Sequence, residues 1–206
     1  MNIEVSDSDM FKVEVAMTGI KNGAKRVLTQ AINKTVKTMA TQTRVRIGNE
    51  LNLKAARISK DLSTRKATFG SLSGAVVAKG KPVGLVSFGA TQNKKGVRVK
   101  VKRSGGTKLL KHAFIAKGLR GQNPGDGTNN HAFWREYKGT RKALNPNINY
   151  WALPNNYRLP VKTLYGPRIE DIFASDKVLK PIETQAAYIF PLNIDKGIAD
   201  ILRRFG

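Results

Sequence analysis

From Ile20 onward, apolar or small side chains recur at intervals of three and four: Ala24, Val27, Leu28, Ala31, Ile32, Thr35, Val36 and Met39. This spacing lines them up on one stripe of an α-helix and predicts a helix over residues 20–47, with Gly48 and Asn49 as its stop. Lys21, Lys25, Arg26, Lys34, Lys37, Arg44 and Arg46 fall mainly on the other faces. The stretch LNLKAARISKDL predicts a second, shorter helix with Asn52 as its cap, and its basic face continues that of the first. Ahead of both, IEVSDSDMFKVEV reads as a strand, a turn and a strand, or as an N-terminal arm covering residues 1–18.

Between residues 67 and 166 the period changes to two. Segments near 72–79, 82–90 and 96–103 read as strands, separated by KGKP and TQNKKG, lengths suited to hairpin connections. In GVRVKVKR, Val97, Val99 and Val101 fall on one face, while Arg98, Lys100 and Lys102 fall on the other and Arg103 follows. HAFIAKGL (112–119) and HAFWREY (131–137) are further strands flanking RGQNPGDGTNN, a turn-rich loop expected to be mobile at about 120–130. RKALNPNINYWALPNNYR is irregular, and LPVKTLYG is the last strand. After Pro167 helical spacing returns, through Ile169, Ile172 and Phe173, then Val178 to Phe190, then a segment with Ile198, Ile201, Leu202 and Phe205 on one face. Pro181 fits a first turn, whereas Pro191 should break or kink the helix. The expected fold is α+β: a long N-terminal helix and a short second one, an antiparallel sheet in the middle, and C-terminal helices packed on the sheet. The expected division is an arm of 1–18 and one domain of 19–206.

Composition changes this picture through charge. The 206 residues carry 37 Lys or Arg against 14 Asp or Glu, a formal net charge of +23. Four acids lie in residues 1–18, and none lies from Leu62 to Gly125, where fourteen Lys or Arg occur. A run without acids lacks internal neutralising partners, which points to an acidic partner outside the chain. Cysteine is absent, excluding disulfides and thiolate metal sites. No apolar run approaches the ~20 residues that span a bilayer, so no membrane partner is expected. The acidic N-terminus reads as neither a signal nor a transit peptide.

Catalytic chemistry is thin. His112 and His131 each precede Ala-Phe in a predicted strand, with no carboxylate pair or Cys to complete a metal set. No nucleophile motif or phosphate-binding loop occurs. Glu170, Asp171 and Asp176 read as helix N-terminal acids favoured by the macrodipole rather than as cation ligands. Trp134, Tyr137, Tyr150, Trp151, Tyr157 and Tyr165 are scattered and read as core or interface residues rather than base-stacking platforms. No catalytic residue, cofactor or metal is assigned, and an enzyme is not expected.

One pattern is more specific. HAFIAKGL…HAFWREYKGTRKAL…YRLPVKTLYGPRIEDIF resembles the prophage minor tail protein Z family of tailed bacteriophages, in the order of an aFiA strand, a loop, a strand ending in an aromatic–basic pair, a Gr turn and LPi…l.GP before a helix. QAINKTVKTMATQTRVRIGNELNLKAARISKDL is similar to the family's AiNrt helix and the basic helix after it. The resemblance spans about residues 20–206, and its most specific piece is Leu159-Pro160-Val161 followed by Gly166-Pro167. Arg168 stands where the family commonly has a small polar residue. Between strand and helix, Gly166 is expected to supply a turn conformation closed to other residues and Pro167 to preset the first helical φ.

The resemblance implies a structural virion protein of the tail or neck, assembled in the bacterial host cytoplasm. It would complete the head-proximal end of the tail and serve head–tail joining, with tail or neck proteins and copies of itself in a ring as partners. Within that expectation the basic residues Lys94, Lys95, Arg98, Lys100, Lys102, Arg103, Lys108 and Lys111 have three uses: docking on an acidic protein neighbour, sequence-independent contact with phage DNA phosphates, or a solvated face. The alternative is a free nucleic-acid-binding protein of RNA-chaperone or ribosome-associated type. It accounts for the charge equally well, but not for the Leu-Pro…Gly-Pro order.

Overall fold

The computed structural model describes residues 1–117, 130–135 and 161–205. The fold is α+β with antiparallel sheets, as the periodicities predict. Its contacts divide it into two compact units, Met1–Glu50 with Lys54–Gly80 and Arg168–Gly206, and Leu51–Leu53 with Lys81–Pro167.

The first unit contains strand Asn2–Glu4 (β1), helices Asp7–Ala16 (α1), Gly23–Glu50 (α2) and Ala55–Lys60 (α3), strands Leu62–Arg65 (β2) and Ser73–Ala78 (β3), and helices Ile169–Phe173 (α4) and Asp176–Phe205 (α5). The strands form one antiparallel sheet in the order β1-β3-β2, with Ile3 opposite Gly74 and Leu62 opposite Ala78. The stripe read from the sequence is the core: α2 buries Val27, Leu28, Ala31, Ile32, Thr35, Val36, Met39, Thr43 and Ile47. Gly74 lets β3 approach this helix, since a Cβ there would come 2.6 Å from Ile32 Cγ2 and 2.7 Å from Val36 Cγ2. The long helix α5 also packs on α2. Asn193 Nδ2 donates to Thr35 Oγ1 at 2.9 Å, and Gly197 faces Val27.

Several local expectations are corrected here. The N-terminal segment is integrated, because β1 pairs with β3 and Val13 and Met17 are buried. Its second half is helix α1 and not a strand. Ser6 caps it, with its Oγ accepting from Asp9 N at 3.2 Å. Gly48 and Asn49 do not stop α2, which runs to Glu50. Asn52 does not cap α3; Lys54 holds the N-cap position without a side-chain bond. The helix α5 continues through both Pro181 and Pro191. Pro191 is exposed, as is Ala187, whose carbonyl loses its helical donor and can be met by water. Leu202 is exposed, while Ile194, Gly197 and Ile201 carry the inward face of that segment.

The second unit contains a 3-10 turn at Leu85–Phe88 and strands Thr91–Asn93 (β4), Gly96–Val99 (β5), Lys108–Lys111 (β6), Ala113–Lys117 (β7), Asn130–Arg135 (β8) and Val161–Thr163 (β9). Two three-stranded antiparallel sheets result, in the orders β4-β5-β6 and β7-β8-β9. The predicted strand 82–90 is the 3-10 turn, closed by Gly89 at φ 74. Its apolar residues are still core, since Val83, Leu85 and Phe88 are buried. The loop RGQNPGDGTNN up to Asn129, the stretch RKALNPNINYWALPNNYR, and Leu159 and Pro160 lie outside the described residues.

The Gly-Pro turn has a different basis from the expected one. Gly166 does not adopt a positive φ. It is required by proximity, because a Cβ would come 2.6 Å from Phe88 Cε2 and 2.9 Å from Cζ, while Gly166 N donates to Val83 O at 2.7 Å. Pro167 precedes Arg168, the N-cap of α4, and so stands before the helix rather than at its first position.

Candidate functional site

The alternation in GVRVKVKR is real in three dimensions. On β5, Val97 and Val99 are buried, while Arg98 and then Lys100 are exposed. Register decides which other basic residues join them. Arg98 pairs with Thr91 on β4 and Leu109 on β6, and Gly96 pairs with Lys111. Residues directly opposite share a face, so Arg98, Lys111 and Leu109 stand on one side of the sheet and Lys100 extends it. Lys94 and Lys95 form the hairpin turn at one end of this face. Lys102 and Arg103 continue from the other end, where Lys102 bridges to Leu51. Lys108 is not brought into the set. It pairs with Val99, and therefore points by register to the opposite face.

Local chemistry holds this face in shape. Asn93 Oδ1 accepts from Lys95 N at 2.9 Å, closing an Asx turn over the two lysines. Gly96 follows at φ 142, and a Cβ there would strike the Leu110 carbonyl oxygen. Past the end of β5, Asn52 takes over. Its backbone N donates to Val101 O at 2.9 Å, and its Nδ2 donates to Lys100 O and Phe88 O, both at 3.1 Å. Lys100 to Lys102 are thus kept extended by a side chain that the sequence alone suggested as a helix cap. Arg103 Nε donates to Leu51 O at 3.4 Å, so this residue contributes to the clamp as well as to the charge. Leu109 is the member that charge reading could not find; it is 39% exposed amid the basic side chains.

Among the described residues of the second unit there is no acid to pair with this face. The second unit holds two acids, Asp126 and Glu136, and both lie outside the described residues. Among the described residues, Lys94, Lys95, Arg98, Lys100, Lys102 and Lys111 form no ion pair. The only acid between Glu50 and Asp126, Asp61, belongs to the first unit. It is taken by Arg57, whose Nη1 lies 2.9 Å from Asp61 Oδ2 with side chains 9% and 13% exposed. The angle is not that of a hydrogen bond, so this is a charge contact.

No catalytic constellation forms among the described residues. His131 is buried beside Phe133, with ring centroids 5.8 Å apart, and His112 is an exposed turn residue at φ 63. Ala113 pairs with Trp134 and Ala116 with His131, which separates the two histidines by about four residues along the sheet, roughly 13 Å. No group of three metal-ligating side chains occurs among the described residues. Glu170 and Asp171 lie in the first turn of α4, and Asp176 opens α5 and pairs with Lys180 at 2.7 Å. Trp134 and Tyr165 are exposed; Tyr137, Tyr150, Trp151 and Tyr157 lie outside the described residues. Among the described helices none is long and apolar enough to cross a membrane.

The class defined by these features is an α+β protein whose second unit presents a basic β-sheet face. No family model matches the chain, and no curated protein or solved structure matches it either.

Proposed function

We propose that this chain is a structural protein of a tailed-bacteriophage virion, a tail completion protein acting at the head-proximal end of the tail in head–tail joining, as a ring of copies around the DNA passage. The observation that carries this reading is the basic sheet face without an acid among the described residues of its own unit, in a chain whose described residues assemble no metal-ligating cluster. Such a surface suits an assembly component whose neutralising partner is another molecule. The sequence pattern adds support through Gly166, where the Gly-Pro order coincides with a backbone position that must pass close to the Phe88 ring. Removing the chain from an infected cell is expected to leave heads and tails that form but do not join productively. Normal infectious particles in its absence would overturn the reading.

A second reading, a free nucleic-acid-binding protein, draws on the same face. Replacing Arg98, Lys100 and Lys102 together by Gln discriminates between the two. If the face serves free nucleic-acid binding, affinity for duplex DNA falls similarly for every sequence, and its salt dependence flattens by up to ~0.9 per lost phosphate contact. If it serves docking, DNA affinity hardly changes and incorporation into particles fails.

A further inference from the structure

Three of the first unit's twelve acids, Asp7, Asp9 and Glu14, lie on α1, a helix that offers more than charge. On α1, Val13 faces the core, while Lys12 Nζ reaches Asp195 Oδ1 at 2.6 Å. The opposite side carries Asp7, Phe11, Glu14 and Val15, at i, i+4, i+7 and i+8, which is one stripe of a helix. Phe11 is 70% exposed and Val15 58%, and Asp7 and Glu14 are exposed without an ion pair among the described residues. An exposed aromatic flanked by acids that are unpaired among the described residues, on a protein of net charge +23, offers a basic surface both charge and apolar complementarity.

We propose that this stripe docks on the β4-β5-β6 face of a second copy of the chain. Asp7 and Glu14 meet Arg98, Lys100 and Lys111, while Phe11 and Val15 cover Leu109 and the aliphatic stems of the lysines. The dimensions agree. Asp7 and Glu14 are about 10 Å apart along the helix. On the sheet, Arg98 lies about 8 Å from Lys111 across the strands and about 7 Å from Lys100 along its own. Leu109 favours a protein occupant over a nucleic acid, because a phosphate backbone has no use for an apolar residue at the centre of the face. The contact is heterologous, one patch meeting a different patch, so it repeats from copy to copy and closes into a ring or runs on as a filament. The contact supplies the ring of the proposed tail role and in that sense rests on it. It can nevertheless be tested on the purified full chain, whereas the tail role is tested in particles, so either can fail without the other.

The experiment measures molecular mass by sedimentation at low salt, with circular dichroism and melting as controls on folding. The wild-type chain is expected to associate, and to dissociate as salt screens the contact. Asp7→Lys with Glu14→Lys, and separately Arg98→Glu with Lys100→Glu and Lys111→Glu, should each give monomers. An equimolar mixture of the two variants should assemble again by alternation. The reversed stripe of one variant matches the reversed face of the other, and the unchanged stripe and face match as in the wild type. A chain carrying both sets should regain the wild-type mass. Should the reversed variants fold poorly, Asp7→Asn with Glu14→Gln is the milder substitute, expected to shift association to higher protein concentration. A wild-type chain that stays monomeric at low salt overturns the proposal, as do single variants that keep the wild-type mass. Loss of duplex DNA binding in the sheet variant with assembly unchanged assigns the face to nucleic acid and also overturns it.

Discussion

The two units of this chain solve the same charge problem in opposite ways. The first carries twenty Lys or Arg against twelve Asp or Glu, and Lys12–Asp195, Lys34–Asp200, Arg57–Asp61, Lys180–Asp176 and Arg203–Asp200 all pair within it. The second carries seventeen bases against two acids, and among its described residues Arg98, Lys100 and Lys111 stand on one side of a sheet whose other side buries Val97 and Val99. Four of these five pairs are exposed and contribute little to stability. The attraction in the largely buried Arg57–Asp61 pair is offset by desolvation, so the pairing in the first unit is not what folds it. The long helices α2 and α5 do that, by burying an apolar stripe. The difference teaches that the surplus charge is not spread evenly for solubility. It is concentrated in the second unit, where the β4-β5-β6 sheet exposes Arg98 and Lys111 on one face.

The sharpest way to break this comparison is Gly96→Val. The new Cβ meets the Leu110 carbonyl and the residue must hold φ 142, so a loss of about 3 kcal/mol or more is expected. Amide exchange should show the β5 and β6 amides losing protection while those of Val27 to Met39 keep theirs. Equal loss in both would mean that the units unfold together. Gly166→Val comes next, at about 1–3 kcal/mol, because it drives a side chain into the buried Phe88 ring. Arg168→Ser, a cap substitution, should hardly move the denaturation midpoint, and equal tolerance of the two would refute the close-approach account.

Asn52→Ala removes two hydrogen bonds that hold the end of the basic strand, one to Phe88 O and one to Lys100 O. A cost of about 0.5–1.5 kcal/mol is expected, because water can reach the freed Lys100 carbonyl, with faster exchange at Val101 and Lys102. The smallest stability effect should come from the functional surface itself. The chain with Arg98, Lys100 and Lys102 replaced by Gln should stay within about 0.5 kcal/mol of the parent, as exposed substitutions do. A large destabilisation in this variant would mean that the charges serve folding, and the contrast between the units would lose its functional meaning.

Where the sequence reading succeeded, the signal was periodic and long. The α2 stripe extends from Val27 to Ile47, nearly six turns, and the valines and bases of β5 alternate without interruption. It failed on short or double-valued segments. Val13 and Val15 alternate as a strand would, yet Val13 and Met17 are the buried pair, four apart. The Ser6–Asp9 capping signal was the clue that the alternation masked. Val83, Leu85 and Phe88 were correctly apolar, but a run that short does not distinguish a strand from a turn.

The sequence by itself determined the helix stripe, the alternating basic strand and the run from Leu62 to Gly125 without an acid, because each depends only on neighbours along the chain. The tertiary structure alone decided that Lys111 and Leu109 join Arg98 while Lys108 turns away, since strand register is a relation between separate segments. It alone decided that Asn52 clamps a strand 48 residues further on instead of capping its own helix, and that Gly166 is needed by a phenylalanine 78 positions earlier. A side chain with hydrogen bonds to make, or a backbone with a ring to avoid, responds to whatever is within a few ångströms, and separation along the chain does not reveal what that will be.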